Sequence, residues 1–326
     1  MKRTRYFAIF CYVFCQGLIT GAFGQQSTVM NHAITHPLIL NPALAGSHNS
    51  VSIDLYTRQQ WIGIDDAPSF YSAGIHFPIN KSMTSLGAGV WSEQTGPLMY
   101  NRLFFDYAYL IRLSRRSFLS LGLRAGVDHF NINLQQLTII DYNDPEFATS
   151  IENEFRPSWG AGIWYYTPSI FLGISSPHRP LGKMSWASEA AQEFESANEI
   201  DLNGGLSINL SKEIKLTVSA LHRFVQNDIS TTDLGLLVQH AKRIKYGLIY
   251  RPNLSAAALF GLNLTEEIGF IYSYETSVNR DQPIIKKGSH ELTLRFDFTQ
   301  LIKPNRNRQF LRKKVEKEDL NSIRYF

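Results

Sequence analysis

The chain has 326 residues, a formal charge of +4, 44% hydrophobic and 13% aromatic residues, and two cysteines, Cys11 and Cys15. That length can bury a core without cross-links, and the lack of any later cysteine excludes a disulfide framework or a thiolate metal site in the rest of the chain.

Lys2, Arg3 and Arg5 precede an uncharged apolar run from Tyr6 to about Ala22, and Ala22-Phe23-Gly24 puts small residues ahead of Gln25. These are the parts of a signal peptide, residues 1–24, with cleavage expected after Gly24. A transmembrane anchor is the alternative, but the run is shorter than the ~20 residues a helical span needs and no stop-transfer pattern follows. Both cysteines lie inside it without the small residues of a lipoprotein processing site, so the mature chain carries no thiol. Loss of three signal cations lowers the charge to +1, and the tail from Lys303 to Phe326 holds eight Lys/Arg against three acids, leaving residues 25–302 near −4.

Residues 25–50 form an N-terminal segment expected in the periplasm. Within it Asn41 is a good N-cap, Pro42 suits the first helical position, Ala43-Leu44-Ala45 continue the turn, and Gly46 can end it in a left-handed conformation. The turn is expected to fold under or into the mouth of a barrel built from the residues after it, as a plug, or to be a mere lead-in.

From Val51 onward the chain alternates with period two, the mark of strands with one apolar face. Leu119, Leu121, Leu123, Ala125 and Val127 face one way, whereas Ser120, Gly122, Arg124, Gly126 and Asp128 face the other. Fourteen such segments start near Val51, Ser69, Thr84, Met99, Ser117, Arg156, Ser169, Asn198, Glu213, Thr231, Arg243, Ser255, Glu267 and Ser289. Every second connection is tight: Asn80-Lys81-Ser82, Ser114-Arg115-Arg116, Thr167-Pro168, Ser211-Lys212, Ala241-Lys242 and Thr265-Glu266. Long ones, about Gln135 to Phe155, Ser176 to Ala197 and Ser277 to Gly288, fall at the other parity. An outer-membrane barrel has this asymmetry, with short periplasmic turns and longer outer loops. The fold expected is therefore all-β, a transmembrane antiparallel β-barrel of about 14 strands over residues 51–299, followed by a basic periplasmic tail, 300–326.

A soluble β-sandwich could show the same alternation. Aromatic residues crowding the strand ends (Trp61, Tyr100, Trp159, Tyr165, Tyr166, Tyr250, Tyr274) favour the barrel, as interfacial girdles. The polar faces mix both signs of charge, which suits cross-strand pairing and a largely occluded lumen better than a selective pore lined by one sign.

The one enzyme-like string is Ser289-His290-Glu291. Neighbours on a strand point to opposite faces, so His290 diverges from the other two and a triad cannot converge. Asp128-His129 fails in the same way, and no helical zinc motif, nucleophile elbow or phosphate-cradling loop appears. No catalytic residue, cofactor or metal is expected. A passive pore and a barrel hydrolase with a site built from several strands stay as alternatives. Export makes nucleic acid an implausible partner for the basic tail, which reads either as a solvated extension or as a dock for an acidic periplasmic partner or peptidoglycan.

The stretches "HPLILNPALAGS", "YTRQQWIGIDDAPSFYSAGIHFPI", "LGAGVWSEQTGPL", "FFDYAYLIRL" and "GSHELTLRFDF" resemble the PorP/SprF family of outer-membrane proteins over about Pro37 to Phe298. The Asn-Pro-Ala-x-Ala-Gly turn, the Arg-Gln-Gln-Trp element and the Gly-Ser-His-Glu lead-in are the specific parts. The Gln between Arg58 and the Gln60-Trp61 pair departs from the family pattern, as does the basic extension. The resemblance implies a non-enzymatic barrel in the outer membrane, tied to type IX secretion and gliding motility. It implies as partners a periplasmic peptidoglycan-linked secretion component, a secreted adhesin or C-terminal sorting domain, and outer-membrane lipid. Asn41, Pro42, Gly46, Arg58, Gln60 and Trp61 are the residues expected to bind partners.

Overall fold

The computed structural model describes residues 30–34, 36–48, 50–79, 83–132, 154–182, 199–225, 230–278, 287–298 and 301. The signal peptide, the turn at Asn80-Lys81-Ser82, most of the three long loops and the basic tail lie outside the described residues.

Fourteen strands alternate inward and outward side chains: β1 (Val51–Gln59), β2 (Ser69–Pro78), β3 (Thr84–Thr95), β4 (Leu98–Arg112), β5 (Phe118–Ile132), β6 (Glu154–Tyr166), β7 (Ile170–Pro180), β8 (Glu199–Asn209), β9 (Ile214–Val225), β10 (Thr231–His240), β11 (Ile244–Arg251), β12 (Ser255–Asn263), β13 (Ile268–Ser277) and β14 (Ser289–Phe298). Each pairs antiparallel with its neighbours, and β1 closes on β14 from Val51↔Phe298 to Gln59↔His290. Closure leaves no unpaired edge, which hydrocarbon would not tolerate.

Burial is inverted relative to a soluble protein. Phe105 is 58% exposed and Leu123 62%, whereas the adjacent Asp106 and Arg124 are 2% and 6% exposed. Each apolar side chain left in water forgoes roughly 1.5–3 kcal/mol. A whole belt of them requires hydrocarbon against it, which rules out the sandwich. No described helix is long and apolar enough to cross a membrane.

The tight turns share a local device. Ser211 Oγ accepts from the backbone N–H of Glu213 and Ile214, Thr265 Oγ1 does the same for Glu267 and Ile268, and Thr167 Oγ1 for Ser169 and Ile170. Ala241 and Lys242 take φ of 47° and 58°, the left-handed central pair of a turn that Arg243 N–H closes on His240 O. These turns share one end of the barrel with Val51 and Phe298, the end that the short-turn rule of outer-membrane barrels assigns to the periplasm, and the 60–68 connection lies at the opposite, outer end.

Two of the aromatic residues expected in the girdles point inward instead. Tyr100 takes hydrogen bonds from Arg102 inside the barrel, and Tyr166 stacks on Phe118 with ring centroids 5.3 Å apart. Both occupy even positions on strands whose even side chains face the lumen, so strand parity overrides proximity to the interface.

The lumen is filled by the N-terminal segment. Three short helical turns, Asn31–Ile34, Pro37–Leu40 and Pro42–Leu44, run inside it. Leu38, Leu40 and Leu44 are buried, the last two beside Tyr56, Phe70, Trp164, Phe171 and Leu221, and Leu38 beside Phe104 and Ala108. Inner-face glycines admit it: a Cβ on Gly122 would lie 2.1 Å from Ala43 N, and one on Gly162 2.0 Å from Asn41 Oδ1.

A Cβ placed at Gly87 would lie 3.5 Å from that of Ala45, within the ~3.5–4.5 Å span of a disulfide. Ala45→Cys with Gly87→Cys should therefore cross-link on mild oxidation of the folded protein, read as a mobility change on non-reducing gels. Two thiols that stay open to maleimide in the folded barrel would contradict a seated plug.

Candidate functional site

The Asn41 turn forms as its residues dictate. Asn41 Oδ1 accepts from Ala43 N–H at 2.9 Å, Pro42 opens a single 3₁₀ turn, and Gly46 takes φ of +70°. Its location is inside the barrel: Asn41, Pro42 and Gly46 are all buried. Asn41 Nδ2 reaches the carbonyls of Ile163 and Ile174 at 3.2 and 3.3 Å. The wall then reads the plug through its backbone. Ser175 donates to Leu40 O at 2.9 Å, Ser120 to Ala43 O at 2.7 Å, and Arg124 to Leu38 O.

The plug traverses the lumen. Its later end lies at the periplasmic mouth, where Gly46 N–H donates to His76 Nδ1 at 3.0 Å and His48 meets Asp297 at 3.2 Å. Its earlier end lies at the outer mouth. There the N–H groups of Asn31 and His32 donate to the Glu291 carboxylate at 2.9 and 3.0 Å, and Asn31 Nδ2 donates to Glu275 at 2.8 Å.

These contacts belong to a buried ionic chain. Arg58 bridges Glu275 and Glu291. Arg251 bridges Glu275 and Asp233, at 2.8 and 2.6 Å. The members come from β1, β10, β11, β13 and β14, and every side chain points inward at the outer strand ends. Charges so buried persist only when paired and hydrogen-bonded.

Arg58, Gln60 and Trp61 are brought together, since all three line one small cavity of ≈ 20 Å³, room for about one water, with Glu275, Ser277 and Ser289. Asn41, Pro42 and Gly46 lie elsewhere, further down the lumen. Sequence reasoning did not assemble Asp233 with Glu275, Glu291, Arg251, Asn31 and His32. The usable signal was an inward position near an outer strand end.

The Ser289-His290-Glu291 string diverges as strand geometry requires: Ser289 and Glu291 are buried in the lumen, while His290 meets the Tyr272 hydroxyl at 2.6 Å on the other face. A second His–carboxylate pair, His178 with Asp128 at 2.7 Å, uses Nε2 for both Asp128 and Tyr100, and Ser158 bonds to Asp128 directly. A relay to a nucleophile needs the other ring nitrogen.

Two histidines of the plug are buried among these groups. Burial pushes His32 down to about 4 against the upward pull of Glu291, and His36 down to about 4 against that of Asp54. A histidine whose folded value is lowered favours the seated state fully above its free value of ~6.5 and loses that contribution as the pH falls toward 4. A spin label on Ser47→Cys should gain mobility as pH drops from 7 to 4, and His36→Phe should flatten the response. Glu291→Ala leaves Arg58 and two N–H groups short of an acceptor and should cost about 3–5 kcal/mol. Glu291→Gln should cost less, both read from the temperature at which the barrel loses its heat-modifiable gel mobility.

Among solved structures the chain is similar to the CymD monoaromatic hydrocarbon channel (13% identity, TM-score 0.47, 86% of this chain and 95% of that one). It is similar also to the Ralstonia pickettii toluene transporter TbuX (10%, 0.45, 85% and 96%) and a Pseudomonas aeruginosa FadL homologue (12%, 0.44, 80% and 93%). Such a likeness carries no ligand across. No curated protein matches the sequence. The model of the type IX secretion system membrane protein PorP/SprF matches residues 22–296, nearly the whole closed barrel together with its plug, and the chain belongs to that family of outer-membrane proteins.

Proposed function

We propose that the protein is a non-enzymatic scaffold of type IX secretion, joining a periplasmic peptidoglycan-linked component to a secreted adhesin or sorting domain at the cell surface. The observation that carries this reading is the plug. It runs from the Glu291 cluster at the outer mouth to His76 and Asp297 at the periplasmic mouth, so the barrel is a filled body with two presented ends. A pore would need that space as water. A hydrolase would need a relay, and the His178 pair supports none.

Asn41, Pro42 and Gly46 then act on a periplasmic partner through the seat of the plug, because their side chains are covered. Gly46 is the sensitive position, since an added Cβ would lie 2.3 Å from Ser85 Oγ and φ is +70°. Gly46→Val should lower recovery of the periplasmic partner several-fold in a pull-down while the barrel stays folded. Undiminished recovery would reduce the turn to a lead-in. Purified protein in planar bilayers should show no steady single-channel conductance, and a stable open level would replace the scaffold with a pore.

A further inference from the structure

The tight turns at the periplasmic end are alike in shape but not in charge. The β12–β13 turn carries Glu266 and Glu267, the β8–β9 turn sets Lys212 beside Glu213, and the β6–β7 turn, 167–169, carries no charge. Lys242 and Arg243 lie between acids. His240 of their own hairpin reaches Glu213 at 3.9 Å, and Asn263, beside the Glu266-Glu267 turn, donates to the carbonyls of Lys242 and Arg243 at 2.7 Å each. The β4–β5 turn stands apart: Arg112, Arg115 and Arg116 fall within five residues, and neither flanking connection, 79–83 or 167–169, holds a carboxylate.

This turn is a fixed frame. The N–H groups of Leu113 and Ser114 donate to Ser117 O at 3.0 and 3.2 Å, and the Ser114 and Ser117 hydroxyls meet at 2.6 Å. Arg116 N–H donates to Ser114 Oγ at 3.2 Å, and Arg112 Nε donates to Ser114 O at 3.0 Å, which ties Arg112 back along its own hairpin. Arg115 and Arg116 are exposed at the tip.

On the lipid side of the same hairpin the wall is apolar. Tyr109, Leu113 and Leu121 are exposed, and Tyr109 lies opposite Leu121. The next row toward the turn runs Ile111, Leu119, Tyr165 across β4, β5 and β6. Two phenols therefore flank a strip of leucine and isoleucine that ends at the arginine pair. Tyrosine settles at headgroup depth, and a guanidinium grips phosphate through a bidentate fork. A zwitterionic lipid would bring its ammonium to the same two cations and is disfavoured, whereas a net anionic one is drawn to them.

We propose that the β4–β5 hairpin holds one anionic phospholipid of the periplasmic leaflet, its phosphate at Arg115 and Arg116 and its chains along Leu113, Ile111 and Leu121, beside Tyr109 and Tyr165. The site concerns how the barrel is fixed and oriented in its own membrane, and it stands whether or not the scaffold role does.

The test reconstitutes the full-length protein in vesicles of phosphatidylethanolamine and phosphatidylglycerol, extracts it in mild detergent and measures the ratio of the two lipids that stay bound. Phosphatidylglycerol should be enriched over the input by about fivefold or more. Arg115→Gln with Arg116→Gln should return the ratio to that of the input, with heat-modifiable gel mobility showing that the barrel stays folded. Lys242→Gln with Arg243→Gln removes the same charge from another arc of the rim and should leave the enrichment in place. No enrichment in the unaltered protein, or enrichment that survives loss of both arginines, overturns the inference. So does an equal fall in the Lys242 and Arg243 variant, which would mark a general attraction of the basic rim. Lipid enrichment that survives in the Arg115 and Arg116 variant while capture of the periplasmic partner is lost would assign the patch to an acidic protein instead.

Discussion

Hydrocarbon on the outside is the constraint on which the rest of the molecule depends. Backbone groups facing lipid must be paired within the sheet, so the fourteen strands close. Polar side chains have only the lumen left to them, and there the charges lie within reach of one another: Arg124 with Asp106 at 2.7 Å, Arg295 with Asp54 at 2.6 Å, Arg251 with Asp233 at 2.6 Å. These pairs are the cost of an apolar exterior, and their arrangement is what distinguishes one barrel from another.

A ring of fourteen strands encloses more space than its own side chains fill. The N-terminal segment supplies the missing volume, and the wall is shaped for it. Gly74 and Gly87 each come within 3.1 Å of a Leu38 methyl once a Cβ is added, and Gly122 and Gly162 leave no room at all for one. The segment could not hold this shape alone, because turns of three or four residues are too short to persist in water. Barrel and plug are therefore one folding unit, with Leu38, Leu40 and Leu44 providing the apolar core that a strand-lined lumen lacks.

Alternation made the strands legible: each observed strand starts within two residues of the position expected from sequence. The Asn41 cap, Pro42 and Gly46 were legible for the same reason, since each acts on its immediate neighbours. Tyr100 and Tyr166 were misplaced because closeness to a strand end was weighed above parity. The plug's location was only half legible. Gly74, Gly87, Gly122 and Gly162 fall on inward positions of four strands, a groove readable only once the strands are wrapped. The ionic chain was out of reach, since Arg58 meets partners 217 and 233 residues away and no local pattern encodes a register across the closure of β1 on β14.

The two mouths differ in charge, and the plug connects them. At the outer end Glu199, Asp201, Asp233, Glu275 and Glu291 face Arg58, Arg223 and Arg251. Toward the periplasm Lys215, Lys245, Arg295 and Asp54 are buried on the inner wall, with the half-buried Asp297 beside them. Each end of the plug is thus held by a different chemistry, carboxylates gripping backbone N–H groups at one end, and at the other His76 gripping the Gly46 turn while Asp297 meets the plug's own His48. The two grips are joined by the Leu38–Leu44 packing and by the wall's hydrogen bonds from Arg124, Ser175 and Ser120 to the carbonyls of Leu38, Leu40 and Ala43.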